Sequence, residues 1–208
     1  MKIIVGTNNH GKLQEMQQAI DSEAVQLVTY QEYLPESVEI EETGNTYVEN
    51  ALLKAKFYAE KINRPVLADD GGLELIAFPA LLGLKTARFF NENLSEQQKN
   101  QQLLELFNGK PELTREIQLK STLVYAWPEG HYLTSSETLK GELAKKITGD
   151  LGYGFDSIFY LPELGCTLAQ LSKATRDTYS PRVIALKKMI EKIKEENCDE
   201  NESLFLGE

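Results

Sequence analysis

At 208 residues the chain can form one sizeable hydrophobic core, and its 41% hydrophobic and 26% charged content is ordinary for a globular protein. A formal net charge of −10 excludes a broad phosphate-backbone footprint, so no nucleic-acid polymer is expected as a partner. With no apolar run suited to a membrane span or signal peptide and only two cysteines, Cys166 and Cys198, the expected setting is reduced, cytoplasmic and free of membrane.

Lys2-Ile3-Ile4-Val5-Gly6 is a β-branched run that reads as a buried strand. It ends in Thr7-Asn8-Asn9-His10-Gly11-Lys12, after which Leu13, Met16 and Ile20 recur on one face of a helix. Strand, polar glycine-bearing loop and helix is a geometry that aims backbone N–H groups and a helix dipole at an anion. Gly6-x-x-x-x-Gly11-Lys12 matches most of a P-loop, but Leu13 stands where Ser or Thr would hold Mg²⁺. A plain strand-to-helix connection is the alternative. The two histidines, His10 and His131, lie too far apart to suggest a His-rich zinc site.

Val25 to Tyr30 suggests a second strand. The stretch Glu39 to Thr46 leads into a helix carrying Val48, Ala51, Leu52, Ala55, Ala59 and Ile62, with Thr46-x-x-Glu49 as a capping box. Asn50 and Lys54, four apart, can offer an amide and an ammonium to one ligand, or simply form a solvated polar face. Glu42, just before the helix, is placed to join a carboxylate site.

The chain is organised around Leu67-Ala68-Asp69-Asp70-Gly71-Gly72-Leu73. Val66-Leu67-Ala68 reads as the end of a short strand, and the two glycines as a tight turn allowing close backbone approach to a ligand. Adjacent carboxylates repel unless a cation or a shifted proton offsets them. Mg²⁺ suits such a site, because it takes carboxylate oxygens and keeps positions for water and phosphates. One Asp would then serve as base for an attacking water. A solvated Asp-Asp-Gly turn is the alternative.

Phe78 to Leu84 reads as an apolar loop or short helix, and Ser95-x-x-Gln98 caps a helix carrying Leu103, Leu104 and Phe107 before Gly109. Ile117, Leu119, Ser121, Leu123, Tyr125 and Trp127 alternate along a strand; Pro128 to His131 turns it, and Tyr132 to Leu143 returns as one or two strands. This predicts an antiparallel sheet with one face more apolar than the other. In Gly149 to Tyr160, glycines interleave with aromatics, forming either a wall for a planar base or a turn whose aromatics belong to the core. Ser180 and Pro181 open a helix with Val183, Leu186, Ile190 and Ile193 on its apolar stripe. A single domain over 1–196 and an acidic tail over 197–208 are expected.

Five stretches together resemble the inosine triphosphate pyrophosphatase family, the Ham1-like noncanonical purine nucleoside triphosphate pyrophosphatases. They are Thr7-x-Asn9-x-x-Lys12, Glu42-Thr43-Gly44-x-Thr46-x-x-Glu49-Asn50-Ala51-x-x-Lys54-Ala55, Ala68-Asp69-Asp70-x-Gly72-Leu73, Thr86-Ala87-Arg88 and Gly152-Tyr153-Gly154-Phe155-Asp156. The resemblance implies an elongated, two-lobed α/β fold. A mixed, strongly twisted central sheet is flanked by helices, with a nucleotide cleft between the lobes. It implies Mg²⁺, a homodimer, and hydrolysis of ITP, dITP and XTP to the monophosphate and diphosphate. By position, Asp70 resembles the catalytic base and metal carboxylate, Glu42 its partner at the metal, and Asp69 a supporting group. Thr7, Asn8, Asn9, His10, Gly11 and Lys12 match the phosphate-binding loop, and Lys54 a further phosphate contact. Tyr153, Gly154, Phe155 and Asp156 match the segment that holds the base.

Four positions depart from the family pattern. Gly71 replaces a Ser, removing a hydroxyl from the substrate-binding neighbourhood, and Ser157 replaces a Pro. The base-recognising Ser-His-Arg appears as Ser180-Pro181-Arg182, and Arg176 falls on a family Lys. Proline offers no hydrogen bond to a purine 6-keto group, which leaves Arg176 and Arg182 as the expected base contacts. Two other classes stay open: a P-loop-like NTPase, releasing orthophosphate or phosphorylating an acceptor, and a nucleotide sensor with weakened turnover.

Overall fold

The computed structural model describes residues 1–20, 24–36, 38 and 40–205, with side chains as far as 197. Glu39, the Cys198 side chain and the side chains of the acidic stretch that follows lie outside the described residues. The described chain has seven strands and six α-helices. The strands are β1 (Lys2–Val5), β2 (Gln26–Thr29), β3 (Val66–Leu75), β4 (Glu116–Ala126), β5 (Tyr132–Leu143), β6 (Phe159–Leu161) and β7 (Cys166–Thr167). The helices are α1 (His10–Ala19), α2 (Tyr47–Ile62), α3 (Thr86–Phe89), α4 (Glu96–Glu105), α5 (Lys173–Tyr179) and α6 (Pro181–Phe205). One mixed sheet has the order β2-β1-β3-β4-β5-β6-β7. β1 runs parallel to β2 and β3, whereas β6 runs antiparallel to β5 and β7. The fold is α/β. Among the described residues no helix is long and apolar enough to cross a membrane.

The chain divides into two compact units, and β3, β4 and β5 each contribute residues to both. The first comprises Met1–Asp70, Thr122–Glu137 and Arg182–Glu208. Alternation along its strands explains its packing, because successive side chains of a strand point to opposite faces. Ile3, Val5, Leu67, Leu123 and Tyr125 join Met16 of α1 and Ala185, Leu186, Met189, Ile190 and Ile193 of α6 in one core cluster. Ile4, Val28 and Val66 pack instead with Tyr58 and Ala59 of α2, while Ala68, Val124 and Ala126 pack with its Ala51 and Ala55. The sheet of this unit is therefore apolar on both faces, as parallel strands require. Along β4 the second face is covered as well, by the small alanines of α2.

The second unit comprises Gly71–Ser121 and Thr138–Pro181. Leu73, Leu75, Ile117, Leu143, Phe159 and Leu161 pack there with Leu103 and Leu104 of α4 and with Phe107 just beyond it. Ser95 and Gln98 form the reciprocal capping box expected at the start of α4. At α2 only half of the expected box forms. Thr46 Oγ1 accepts from Glu49 N, but Glu49 Oε2 takes the N–H of Asn45, one residue before the cap.

The two glycines after the Asp pair do not turn the chain, since β3 runs unbroken from Val66 to Leu75. Their role is close approach. A Cβ on Gly71 would lie 2.3 Å from the Lys120 carbonyl oxygen, and one on Gly72 would lie 2.4 Å from that of Gly83. Backbone occupies the space a side chain would need.

Candidate active site

In the first unit the connection after β1 is built from its own side chains. Gly6 N donates to Leu67 O at 2.7 Å, and a Cβ there would meet the Tyr58 ring at 2.5 Å. Thr7 Oγ1 accepts from Asn9 N, and Asn9 Oδ1 accepts from Lys12 N at 3.0 Å, capping α1. Asn8 Oδ1 accepts from the Tyr30 hydroxyl at 2.5 Å while its Nδ2 donates to Val38 O. The expected phosphate loop is thus shorter than the sequence suggested. Helix α1 begins at His10, so His10, Gly11 and Lys12 form its first turn, where the helix dipole favours an anion although Lys12 N is already capped by Asn9.

The two adjacent aspartates part company. Neighbours on a strand face opposite ways, so Asp69 follows Leu67 toward α1 and α6 while Asp70 follows Ala68 toward α2. The fully buried Asp69 side chain takes Lys12 Nζ at 2.5 Å on Oδ2 and Arg182 Nε at 3.3 Å on Oδ1. Arg182 Nη1 also donates to Glu15 Oε2 at 2.5 Å. On the other face Lys54 Nζ lies 2.5 Å from Glu42 Oε1 and 3.6 Å from Asp70 Oδ1. The mutual repulsion expected of an Asp-Asp pair is relieved by geometry, each carboxylate having its own cations.

Burial raises the Asp70 carboxyl above the ordinary carboxylate value, and the nearby Glu42 pushes the same way. Lys54, Lys12 and the Asn50 amide act against them. Asp70 Oδ2 is buried with no hydrogen-bond partner. Among the described residues no three His, Cys, Asp or Glu side chains group around a common point for a metal. A buried oxygen without a partner on Asp70, beside the hard oxygens of Glu42, nevertheless fits Mg²⁺, which is commonly held by one or two carboxylates plus substrate phosphates. Asn50 and Lys54 both act on the Asp70 carboxyl. Asn50 is fully buried, and its Oδ1 accepts from Gly44 N at 2.8 Å, tying the turn after Glu42 to α2.

The glycine-aromatic loop belongs to the second unit. Gly152 and Gly154 have φ of 81° and 63°, a left-handed region that favours glycine. Asp156 Oδ2 accepts from Tyr153 N at 3.2 Å and lies 3.6 Å from Arg176 Nε. Phe155 is half-buried and packs against the apolar core, 6.2 Å from Phe90 between ring centroids, as the core alternative expects. Tyr153 is half-buried. Arg176 and Arg182, expected together at the base, each engage carboxylates of their own unit.

Three side chains were invisible to sequence reasoning. Glu15 binds Arg182, and its spacing of three from Lys12 on one helix was the available signal. On α4, Glu96 Oε2 accepts from Gly154 N at 2.9 Å, and Asn100 Nδ2 donates to Gly154 O at 2.8 Å and to Ser157 Oγ at 3.1 Å. Nothing local links α4 to a loop more than fifty residues on.

Residues 3–192 match the model of the Ham1 family. A dITP/XTP pyrophosphatase from Desulforamulus reducens is 35% identical over 191 residues, covering 92% of this chain and 94% of that protein. One from Photorhabdus laumondii is 35% identical over 195 residues, covering 93% and 98%. The Staphylococcus aureus Ham1 protein matches in structure with a TM-score of 0.81 at 31% identity, over 94% of this chain and 100% of that one. A HAM1 protein from Coxiella burnetii gives 0.82 at 28% identity, over 94% and 99%. The match takes in both units and every segment that carries a side chain of the two clusters, from Lys12 to Arg182, and on that extent the chain belongs to the Ham1 family.

Proposed function

We propose that the chain hydrolyses noncanonical purine nucleoside triphosphates, ITP, dITP and XTP, to the monophosphate and diphosphate with Mg²⁺. The chain is an enzyme, a nucleoside-triphosphate pyrophosphatase. One observation carries the reading: Asp70, buried and with one oxygen unpartnered, shares the Lys54 ammonium with Glu42. A carboxylate whose proton affinity is raised by burial is suited to take a proton from water.

Asp70 orients the water and accepts its proton as the oxygen attacks the α-phosphorus. The bond from that phosphorus to the bridging oxygen breaks, and its electron pair leaves with the diphosphate. Lys54 and Lys12 hold and screen the phosphates, and the first turn of α1 adds backbone N–H groups. Asp69 keeps Lys12 oriented. Glu42 and Asp70 are the residues that would hold Mg²⁺, which supplies charge neutralisation at the phosphates and the leaving group. Tyr153 and the Gly154–Asp156 backbone support the base, with Arg176 and Arg182 in the place of further base contacts. A cytoplasmic homodimer completes the reading.

The test is diphosphate release from ITP, XTP, dITP, ATP and GTP, with Mg²⁺ and with chelator, alongside Asp70→Asn. The expected result is turnover of ITP, XTP and dITP that stops on chelation and falls at least about a thousandfold in the variant. Orthophosphate in place of diphosphate would return the argument to a P-loop-like NTPase. Nucleotide binding without turnover would make the protein a sensor.

A further inference from the structure

We infer that Glu96 and Asn100 of α4 are positioning residues that clamp the backbone N–H and C=O of Gly154 and so set the loop supporting the nucleobase; this rests on the function proposed above. The two residues are four apart and therefore share a helix face. Glu96 accepts the Gly154 N–H at 2.9 Å, and Asn100 donates to the carbonyl of the same residue at 2.8 Å. Both backbone polar groups of one residue, and so the two peptide units that flank its Cα, are fixed by one rigid element.

The loop needs such a clamp. Gly152 and Gly154 at positive φ let it take its shape, but glycine also leaves a chain with many alternatives. Hydrogen bonds from Tyr153 N to Asp156 Oδ2 and from Asp156 N to Tyr153 O close its inner turn, and those from Thr148 N to Ser157 O and from Ala169 N to Asp156 O tie down its far end, which leaves the backbone groups of Gly154 to α4. Where the family pattern places a proline, with its fixed φ, this chain has Ser157. Its hydroxyl takes the second Asn100 hydrogen at 3.1 Å. A side-chain hydrogen bond here does the restraining that a ring would do elsewhere. Asn100 is 2% exposed, so its amide competes little with water and holds one geometry. A charged acceptor such as Glu96 makes the stronger kind of hydrogen bond even though the side chain is exposed.

The chemistry assigns these residues to base affinity and selectivity, not to bond cleavage. A loop that samples several shapes presents its binding shape only part of the time, and apparent affinity falls by that fraction. Glu96→Ala should raise the KM for ITP about fivefold or more while kcat moves less than about twofold, and should lower the ratio of ITP to ATP turnover. Glu96→Gln keeps an acceptor oxygen and should recover most of the lost affinity. Both variants remove the same charge from the first turn of α4, so their difference isolates the hydrogen bond. Ser157→Ala should move KM in the same direction by less.

Amide hydrogen exchange at Gly154 supplies a readout independent of turnover: protection should drop in Glu96→Ala and persist in Glu96→Gln. Equal KM, selectivity and Gly154 protection in the two Glu96 variants would overturn the clamp. If the unaltered chain releases no diphosphate, the function reading fails by itself. The exchange comparison then still decides whether α4 restrains the loop.

Discussion

The two clusters of the molecule are held by different forces. In the first unit Asp69, Asp70 and Glu42 are fixed by Lys12, Lys54 and Arg182, charges on three helices meeting a strand. In the second unit the Tyr153–Asp156 loop is fixed mainly by hydrogen bonds to peptide groups, with Phe155 rooted in the core. Under the proposed function the difference matches what each cluster would contact. Phosphates carry charge and call for fixed cations, whereas a planar base calls for a surface of defined shape. A charged cluster tolerates no missing partner, because a buried ion left alone is far costlier than a weak pair. A hydrogen-bonded glycine loop degrades gradually.

The sharpest way to break this comparison is Asp69→Asn. It keeps the volume and leaves Lys12 and Arg182 facing a neutral amide. The expected loss is about 3 kcal/mol of folding stability, read as a lower urea midpoint. A loss below about 1 kcal/mol would mean that water or Glu15 compensates, and that charge does not hold the first cluster. Next comes Lys54→Met, which removes the ammonium shared by Glu42 and Asp70. Diphosphate release should fall about a hundredfold, with stability changed far less than in Asp69→Asn. Should stability collapse instead, Lys54 would be structural first and a phosphate contact second.

Smallest is Gly71→Ser, which restores the residue of the family pattern. The new Cβ would lie 2.3 Å from the Lys120 carbonyl oxygen, a backbone atom that cannot rotate away. Overpacking of this kind costs about 1–2 kcal/mol, measurable as a shift in thermal midpoint. An unchanged midpoint would show that β4 yields at Lys120 and that only the missing hydroxyl matters at this position. The three variants separate charge, phosphate binding and packing.

Much of this was legible in the residues. The strand at Lys2–Val5, the helix capped by Thr46 and the Ser95–Gln98 box follow from local spacing and cap chemistry. The turn at Pro128–His131 is closed by Trp127 N to His131 O and Gly130 N to Trp127 O, and Gly130 has φ of 105°. Other features misled for a common reason. Gly71-Gly72 carries the signature of a turn, yet the absence of side chains served interstrand approach. Phe155 reads equally well as a stacking surface or as core, because periodicity says nothing about which neighbour arrives. Helix α5 and strand β7 are too short to carry a pattern of their own.

The sequence by itself determined the α/β class, the order of the longer elements, the family resemblance and the candidates from Thr7 to Arg182. These depend on spacing along the chain, which covalent geometry transmits directly to local structure. Only the tertiary structure decided that Asp69 and Asp70 face different helices, that Arg182 answers to Asp69 and Glu15, and that α4 grips Gly154. Alternation along a strand assigns opposite faces but cannot name what covers them. That choice is made by the packing of segments far apart in the chain.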